Sequence, residues 1–358
     1  MRLSCSIFLN AAVTLVTLLL LPLASTAGDK KEAFFYSEKT FGSDALYNPA
    51  SAFFTYSLDT LQLSENFDLD NYNDDLSDVW EQLKHPRRAI DNEGGFRRFV
   101  NREIFPIDSD HHRDSFAMLP NYTLHLLGDG MAYRRDVEWF REHDYPYPRL
   151  TAAMIAMVSE VLQEGLEAQN TTDADAIADV YIFRPLGILL FSQERFAGAV
   201  HRMLDPLIWP TITAWDLRKN RFSNTGIAYV YRPPRFQWAN KRLFVYTGLN
   251  NMFGLSHQRA SGHTFSWAFG AAVEEIVRQR NIQADLRPSA GLFYERDGSL
   301  LWSVLINDTG DQRFRLNVYP KAVSWLRKTG FYLAVNDEGR TAAGIVHRLP
   351  IGVGMSNM

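Results

Sequence analysis

The sequence predicts an α+β fold in which a compact helical domain is followed by an antiparallel β-domain, either a sheet or a small barrel. Two observations carry this prediction. Apolar residues recur at helical spacing over residues 119–215, whereas short β-branched and aromatic runs separated by turn residues fill residues 216–358. A third observation is a secretory signal over residues 1–27, which we exclude from the fold.

The signal has the three parts that a secretory leader needs. Arg2 supplies a positive start, residues 7–23 form an apolar run, and Ser25-Thr26-Ala27 places small residues before a cleavage site. We therefore expect cleavage after Ala27 and an exported protein, in the periplasm or associated with the outer membrane. The one cysteine, Cys5, leaves with the signal, so the mature chain has no disulfide.

Residues 28–118 are predicted to form an irregular N-terminal region. Its first part is acidic and aromatic with little periodicity, and its second part is basic and interrupted at Gly94-Gly95. Arg87-Arg88 and Arg97-Arg98 with Arg102 suit lipid phosphates or another anionic surface, or form a plain solvated face. The formal net charge of −4 argues against a general nucleic-acid binder.

Four helices are predicted in the helical domain, residues 119–215. The first is expected from Asn121, its N-cap, to Phe140, and the second from Thr151 to about Ala168. The third should begin at Thr172 or Asp173 and continue into the apolar run that ends at Phe191, and the fourth should cover Gln193 to Met203. Pro185 is expected to kink the third helix, because proline removes a backbone donor and clashes with the preceding turn.

The β-domain, residues 216–358, is predicted to contain about six to eight strands. Asp297-Gly298 between two apolar runs is a strong signal for a tight hairpin. The stretch His263–Ala271 favours a strand, although Glu274, Glu275 and Arg278 just after it would also suit a helix end. No internal repeat is visible.

One face of the first predicted helix has an unusual composition. His125, Gly128, Asp129 and Ala132 lie three or four residues apart, so they share one face that is small and polar. Glycines weaken a helix and are plausible where another backbone comes close. We therefore expect a neighbouring helix to pack here and to supply partners for the two polar side chains.

The next two helices offer those partners. Glu160 and Glu164 lie one turn apart, as do Asp175 and Asp179. A histidine with carboxylates from two further helices suits a divalent metal or an acid–base pair. We take His125, Glu160 and Asp179 as candidate catalytic residues and Asp175 as a candidate metal ligand. The alternative stays open that the glutamates line the solvated side of an amphipathic helix and the aspartates begin a helix.

The order of these residues resembles the VanZ-like group and related bacterial envelope proteins of unknown function. In that group a histidine, a glutamate on the next helix and an aspartate near a following glycine recur among hydrophobic helices. The resemblance covers residues 121–190 and maps onto His125, Glu160, Asp175 or Asp179, and Gly187. It implies a helical architecture and no particular reaction. This chain departs from the group, whose helices cross the membrane, because its own helices are too polar and too short.

Other catalytic motifs are absent from the sequence. It contains no G-x-S-x-G, no H-E-x-x-H, no phosphate-binding loop and no G-x-G-x-x-G after a strand. Ser261 and His263 are predicted in a turn and strand rather than in a triad. His111-His112 lie beside Asp108, Asp110 and Asp114 and suit a metal site or, more simply, a solvated loop.

These patterns predict an exported bacterial envelope protein with a structural or interaction role at a membrane face. The partner would be the membrane surface or another envelope protein. Two alternatives are a metal-dependent hydrolase using the His/Glu/Asp cluster and a small outer-membrane β-barrel protein. The sequence leaves open whether the protein is an enzyme and which cofactor it uses.

Overall fold

The computed structural model describes residues 33–58, 72–105, 120–167, 174–248, 250–278, 282–308, 313–348 and 351–357. Of residues 120, 273–278 and 282–285 only the backbone is described. The predicted signal, residues 1–27, and the pair His111-His112 lie outside the described residues. The chain divides into a helical unit, with residues up to Tyr36 and Asp68–Ala197, and a sheet unit, with Ser37–Phe67 and Gly198–Met358.

The predicted α+β class is confirmed, with helices in the N-terminal half and strands in the C-terminal half. The α-helices in the described residues are α1 Pro49–Ser57, α2 Tyr72–Lys84, α3 Pro86–Glu93, α4 Phe96–Phe99, α5 Asp129–Glu142, α6 Pro148–Glu167, α7 Asp175–Ala178, α8 Arg184–Phe191 and α9 Glu194–Leu204. Wider π-helical turns cover Val100–Ile104, Pro120–Gly128 and Asp179–Phe183, and 3₁₀ turns cover Ser43–Leu46 and Pro234–Phe236.

Part of the region predicted to be irregular is helical. Helix α2 has Asp74 and Asp75 in its first turn and Lys84 in its last turn, so its charges complement the helix dipole. Its buried residues Val79 and Leu83 join Phe183 in the apolar core of the helical unit. Among the described residues no helix combines the length and the apolar composition needed to cross a membrane.

Helix α5 is buried along most of its length although it is rich in charged residues. Arg134 donates from Nε to Glu138 at 2.7 Å and from Nη2 to Glu194 at 2.6 Å. Glu138 also accepts the backbone N–H groups of Phe35 at 2.7 Å and Tyr36 at 2.9 Å. These pairs satisfy charges that would be costly to bury alone, and they attach the N-terminal segment to α5.

One prediction about a helix end needs correction. Asn121 is not an N-cap, because the helical turns already begin at Pro120 and the Asn121 side chain donates to the carbonyl of Glu103 at 2.9 Å. Proline is tolerated in the first turn of a helix because it needs no donor there. Before Pro185 the helix widens into the π-helical turns Asp179–Phe183, which accommodate the missing donor and the bulk of the ring.

One sheet of fourteen strands fills the described part of the sheet unit. The strands are β1 Pro206–Pro210, β2 Ala214–Asp216, β3 Arg221–Ser223, β4 Ile227–Tyr231, β5 Gln237–Trp238, β6 Lys241–Thr247, β7 Asn250–Gln258, β8 His263–Arg278, β9 Ile282–Arg296, β10 Ser299–Asn307, β11 Phe314–Val318, β12 Thr329–Val335, β13 Thr341–His347 and β14 Gly352–Ser356. Their order is β1-β4-β6-β7-β8-β9-β10-β11-β12-β13-β14-β2-β3, and β5 pairs with β6. Pairing is antiparallel except between β14 and β2.

The prediction of six to eight strands was too low. Strands begin at Pro206, before residue 216, and the short strands β1–β3 and β5 carry too few residues to show an alternating pattern. The last two strands are separate, because the chain turns after His347, where Arg348 has a φ of 61°. The Asp297-Gly298 hairpin is confirmed, with φ values of 50° and 84°.

The long hairpin of β8 and β9 resolves the ambiguous stretch after His263, which continues as one strand to Arg278. The inner face of the sheet carries an aromatic core in which the rings of Phe244 and Phe293 lie 5.3 Å apart, and those of Trp209 and Phe293 lie 5.6 Å apart. Aromatic pairs at this spacing add to the stability gained from burial alone.

Candidate metal centre

Six charged side chains meet inside the helical unit. His125 comes from the π-helical turns Pro120–Gly128, and Asp129 begins α5. Glu160 and Glu164 come from α6, Asp179 begins the second set of π-helical turns, and Arg184 begins α8. We call these six residues the carboxylate cluster. Each of them is 5 % exposed or less.

Helical spacing aligns these side chains within each element. Asp129 lies four residues after His125, and Glu164 lies four residues after Glu160, so each pair shares a helix face. His125 and Asp179 both lie in π-helical turns, which are rare and which often occur at functional sites. The cluster therefore combines regular helix faces with two locally widened segments.

Close backbone packing brings the elements together. A Cβ at Gly187 would lie 2.9 Å from the carbonyl oxygen of Leu126 and 3.5 Å from the Cα of Gly130. A Cβ at Gly130 would lie 2.3 Å from the ring of Phe191. The expected close approach of a neighbouring helix is thus present, and Gly130 and Gly187 are the residues that permit it.

His125 lies between carboxylates from three elements. Its Nδ1 is 3.3 Å from Oε1 of Glu160 and 3.4 Å from Oδ2 of Asp129. Its Nε2 is 3.8 Å from Oδ2 of Asp179. Among the described residues neither ring nitrogen has a hydrogen bond of normal geometry, although the ring is fully buried.

Arg184 neutralises one side of the cluster. Its Nη2 donates to Oε2 of Glu160 in a very short contact and lies 3.1 Å from Oδ2 of Asp129. The guanidinium thus links α5 and α6 at the same edge as His125. The opposite edge, which contains Glu164 and Asp179, has no such contact with Arg184 among the described ion pairs.

The charges shift the pKa values of the groups in the cluster. Burial alone lowers the pKa of His125, but the carboxylates of Asp179, Asp129 and Glu167 outweigh burial and raise it from 6.5 to about 10. Burial raises the pKa of Glu164 well above 4.5, and the nearby Asp179, Glu167 and Asp175 raise it further. The neighbouring carboxylates therefore favour the protonated form of both His125 and Glu164.

Two overlapping sets of side chains have the spacing of metal ligands. His125, Asp129 and Glu160 form one set, and Glu160, Glu164 and Asp179 form the other. In each set the candidate ligand atoms lie within 4.8 Å of one another. Arg184 contacts Asp129 of the first set and Glu160, which both sets share. The second set consists of three carboxylates, a donor set that suits hard cations.

The three candidate catalytic residues are brought together, and the fourth candidate is not. His125, Glu160 and Asp179 lie within one cluster, while their predicted catalytic roles stay predictions. Asp175 is half-buried one turn before Asp179 and belongs to neither set of candidate ligands in the described residues, although its charge acts on Glu164.

Two members of the cluster had weaker sequence signals. Glu164 matched a solvated helix face as well as a site, and its burial depends on the packing of α2 against α6, where Tyr72 donates to the carbonyl of Leu162 at 3.0 Å. Arg184 gave no signal beyond a cation in an apolar run just before Pro185.

The other candidates lie apart from this cluster. His263 begins β8 and stacks on Tyr294 with ring centroids 5.3 Å apart, as expected for a strand residue. Arg87 in the basic stretch lies 3.8 Å from Asp91 on an exposed face of α3. The chain has no match among protein-family models, curated proteins or solved structures. The resemblance to the VanZ-like group therefore stays a prediction.

Proposed function

We propose that the helical unit binds a hard divalent cation at Glu160, Glu164 and Asp179, and that this centre is the functional site of the protein. The observation that carries the proposal is a buried set of three carboxylates from two helical elements, with ligand atoms within 4.8 Å of one another. Oxygen-only donors of this kind suit Mg²⁺, Mn²⁺ or Ca²⁺ better than softer metals.

Charge supports a cation in this position. The cluster contains four carboxylates, one guanidinium and one imidazole, so full ionisation leaves an excess of two negative charges. Four carboxylates buried side by side repel one another when ionised, and one divalent cation would offset that repulsion. Retention of protons on the carboxyl groups is the alternative way to remove it, which a binding experiment distinguishes.

Unused ligand atoms support the same conclusion. Among the described residues Oε1 of Glu160 and Oε1 of Glu164 accept no hydrogen bond, and both side chains are 3 % exposed or less. Buried carboxylate oxygens usually accept hydrogen bonds, so these two atoms have the capacity to bind a cation.

A hydrolytic reaction is a second candidate function, favoured by the position of His125. Its Nε2 lies 3.8 Å from Asp179, a proposed cation ligand. An imidazole at this distance from a cation ligand can move a proton beside a Lewis acid, a combination that metal-dependent hydrolases use. The predicted role at a membrane face does not involve the carboxylate cluster, and we assign it to residues of the sheet unit.

Titration of the purified full chain with Mn²⁺, followed by electron paramagnetic resonance and calorimetry, tests the cation site. We expect about one Mn²⁺ per chain, and Glu164→Gln should weaken binding at least about tenfold because it removes a charged ligand. Glu167→Gln is the matched control: it lies one turn further along α6, is also buried and belongs to neither set of ligands in the described residues.

Two outcomes would contradict the proposal. One is a wild-type chain that binds no Mn²⁺ while Glu164→Gln raises the melting temperature, because proton retention would then explain the cluster. The other is an equal loss of Mn²⁺ affinity in Glu164→Gln and Glu167→Gln, because the cation would then respond to general charge. If Mn²⁺ binds but His125→Ala leaves both affinity and any hydrolysis of ester probes unchanged, the hydrolytic candidate is wrong.

A further inference from the structure

From β8 to β12 the sheet exposes apolar side chains on its outer face, which is unusual for a sheet in water. An antiparallel sheet with one face on the protein core and the other in water usually buries apolar side chains on the first face and exposes polar side chains on the second. From β8 to β12 the outward-facing residues of the central rows are apolar, whereas many inward-facing residues are polar and buried. This inversion is independent of the carboxylate cluster, which belongs to the helical unit.

Strand register makes the outward apolar residues continuous. Directly paired residues on neighbouring strands point to the same side, so each row can be followed across the sheet. The middle row runs over six strands through Leu255, Trp267, Leu292, Val304, Leu316 and Leu333. We call this row and its two neighbours the apolar band.

The neighbouring rows have the same character. One of them runs from Phe269 to Val335, and the other from Phe265 to Phe331. From β8 to β12 none of the three described rows contains a charged side chain or a histidine. Phe269 is 63 % exposed and Ile306 is 52 % exposed, so these side chains are uncovered. Contiguous exposed apolar surface on this scale marks an interaction site.

The inward positions of the same strands form hydrogen-bonded polar pairs. The hydroxyl of Ser256 lies 2.7 Å from that of Ser266, and Ser289 donates to Asn307 at 2.7 Å. Arg232 donates to Glu295 at 2.5 Å. These side chains thus find hydrogen-bond partners within the sheet unit, away from the apolar band, as required where the surrounding medium offers no hydrogen bonds.

A basic and aromatic rim borders the apolar band on one side. Neighbouring strands from β7 to β14 are antiparallel, so alternate connections lie at the same ends of the strands. We call the end that holds the connections β7–β8, β9–β10, β11–β12 and β13–β14 one edge of the sheet. Those connections carry five exposed basic residues, Arg259, Lys321, Arg327, Lys328 and Arg348, and one acidic residue, Asp297. Trp325, in the β11–β12 connection, is 73 % exposed.

The opposite edge has a different charge. Its β12–β13 connection, which the structure describes in full, contains Asp337, Glu338 and Arg340, so this connection lacks the basic excess of the first edge. A row of lysine and arginine with tryptophan, next to an uncharged band, is complementary to lipid phosphates above hydrocarbon chains.

We propose that the apolar band contacts the hydrocarbon chains of a phospholipid bilayer and that the basic rim contacts the lipid headgroups. The band matches hydrocarbon because it is apolar over consecutive strands, and the rim matches phosphate by charge. This assignment gives the predicted membrane-face role a surface and a partner.

Site-directed spin labelling of the full chain tests the apolar band. The leader carries the one cysteine, so a nitroxide can be attached at a single introduced cysteine in a Cys5→Ser background. Ile306→Cys reports on the band, and Val158→Cys on α6, which is 49 % exposed, is the matched control. The protein is reconstituted with vesicles of phosphatidylcholine and phosphatidylglycerol, and collisions with O₂ and with a water-soluble nickel chelate are compared.

The expected result is that O₂ collisions dominate at residue 306 and nickel collisions dominate at residue 158. Three results would overturn the proposal. The first is that nickel collisions dominate at both positions. The second is spin–spin broadening at residue 306 in detergent-free solution, which indicates that a second copy of the chain covers the band. The third is release of the wild-type chain from membranes by carbonate. The last measurement needs no variant and applies even if a labelled chain fails to fold.

The basic rim has its own control. Arg327→Gln with Lys328→Gln should lower the affinity for vesicles containing phosphatidylglycerol by about fivefold for each charge removed. Arg340→Gln, at the opposite edge, should leave that affinity unchanged. Equal losses for the two edges, or no preference of the wild-type chain for phosphatidylglycerol over phosphatidylcholine alone, would contradict the assignment of the rim to headgroups.

Discussion

Individual polar side chains that are buried decide much of the local stability of this protein. Asp216, at the end of β2, accepts the backbone N–H groups of Arg218 at 2.8 Å and Lys219 at 3.0 Å. Burial alone raises its pKa, but the hydroxyl of Ser356 and these two amides lower the pKa below 3.8. The charged form is therefore the one that stabilises the turn after β2.

We predict a pH-dependent cost for the loss of this carboxylate. A group whose pKa is lowered on folding stabilises the protein above its unfolded pKa, about 3.9, and loses that contribution as pH falls through the folded value. Asp216→Ala should therefore lower the free energy of unfolding by about 1–3 kcal/mol at neutral pH and by less near pH 2.

Thermal unfolding of the purified protein at both pH values measures this difference. Asp216→Asn is the control, because its amide oxygen still accepts the two backbone hydrogen bonds while the charge is gone. A deficit of Asp216→Ala that is the same at both pH values would contradict the prediction.

Close packing of helical elements determines whether the carboxylate cluster forms. Gly187 lies in α8, where a Cβ would meet the carbonyl oxygen of Leu126 at 2.9 Å. A backbone oxygen cannot move away as a flexible side chain can. Gly165 in α6 offers a contrast, since its added Cβ would meet side-chain atoms of Leu76 and Tyr72 at 3.1 Å.

We predict that Gly187→Ala destabilises the helical unit by about 1–3 kcal/mol, because the overlap outweighs the roughly 1 kcal/mol that alanine gains in helix propensity. Gly165→Ala should cost less, because the side chains it meets can shift. Urea unfolding monitored by circular dichroism compares the two variants. Equal stability of the two variants would contradict the prediction, because it would show that α8 can move away from the turns Pro120–Gly128 without cost.

At the scale of the whole molecule, the two units carry different chemistry. The carboxylate cluster lies entirely within the helical unit, and the apolar band lies entirely within the sheet unit. A ligand that binds the folded state stabilises the element that holds it. Effects of a cation and effects of lipid should therefore appear in different parts of the chain.

Hydrogen exchange of the full chain with and without Mn²⁺ measures this separation. We expect slower exchange in peptides covering residues 120–191 and no change in peptides of β8–β12, because all proposed ligands come from α6 and the turns after α7. Slower exchange in both units, or in the sheet unit alone, would contradict a cation site confined to the helical unit. Mg²⁺ at the same concentration controls for cation type, and NaCl at matched ionic strength controls for screening.

Periodicity and turn chemistry determined much of this structure without any tertiary information. The α+β order, the approximate helix ranges and the Asp297-Gly298 hairpin follow from local rules, since hydrophobic spacing and φ preferences act over a few residues. The sequence also identified His125, Glu160 and Asp179 as candidate partners, while it left open a solvated position for the glutamate.

Tertiary structure alone decided the rest. The burial of Glu164 and the contacts of Arg184 depend on which helices pack together, and a carboxylate stripe looks the same in sequence whether it faces water or a cluster. The number of strands and the continuity of the apolar band depend on register, which links residues far apart in the chain. Short strands such as β5 have no period to read, because pairing with a neighbour, and not their own composition, creates them.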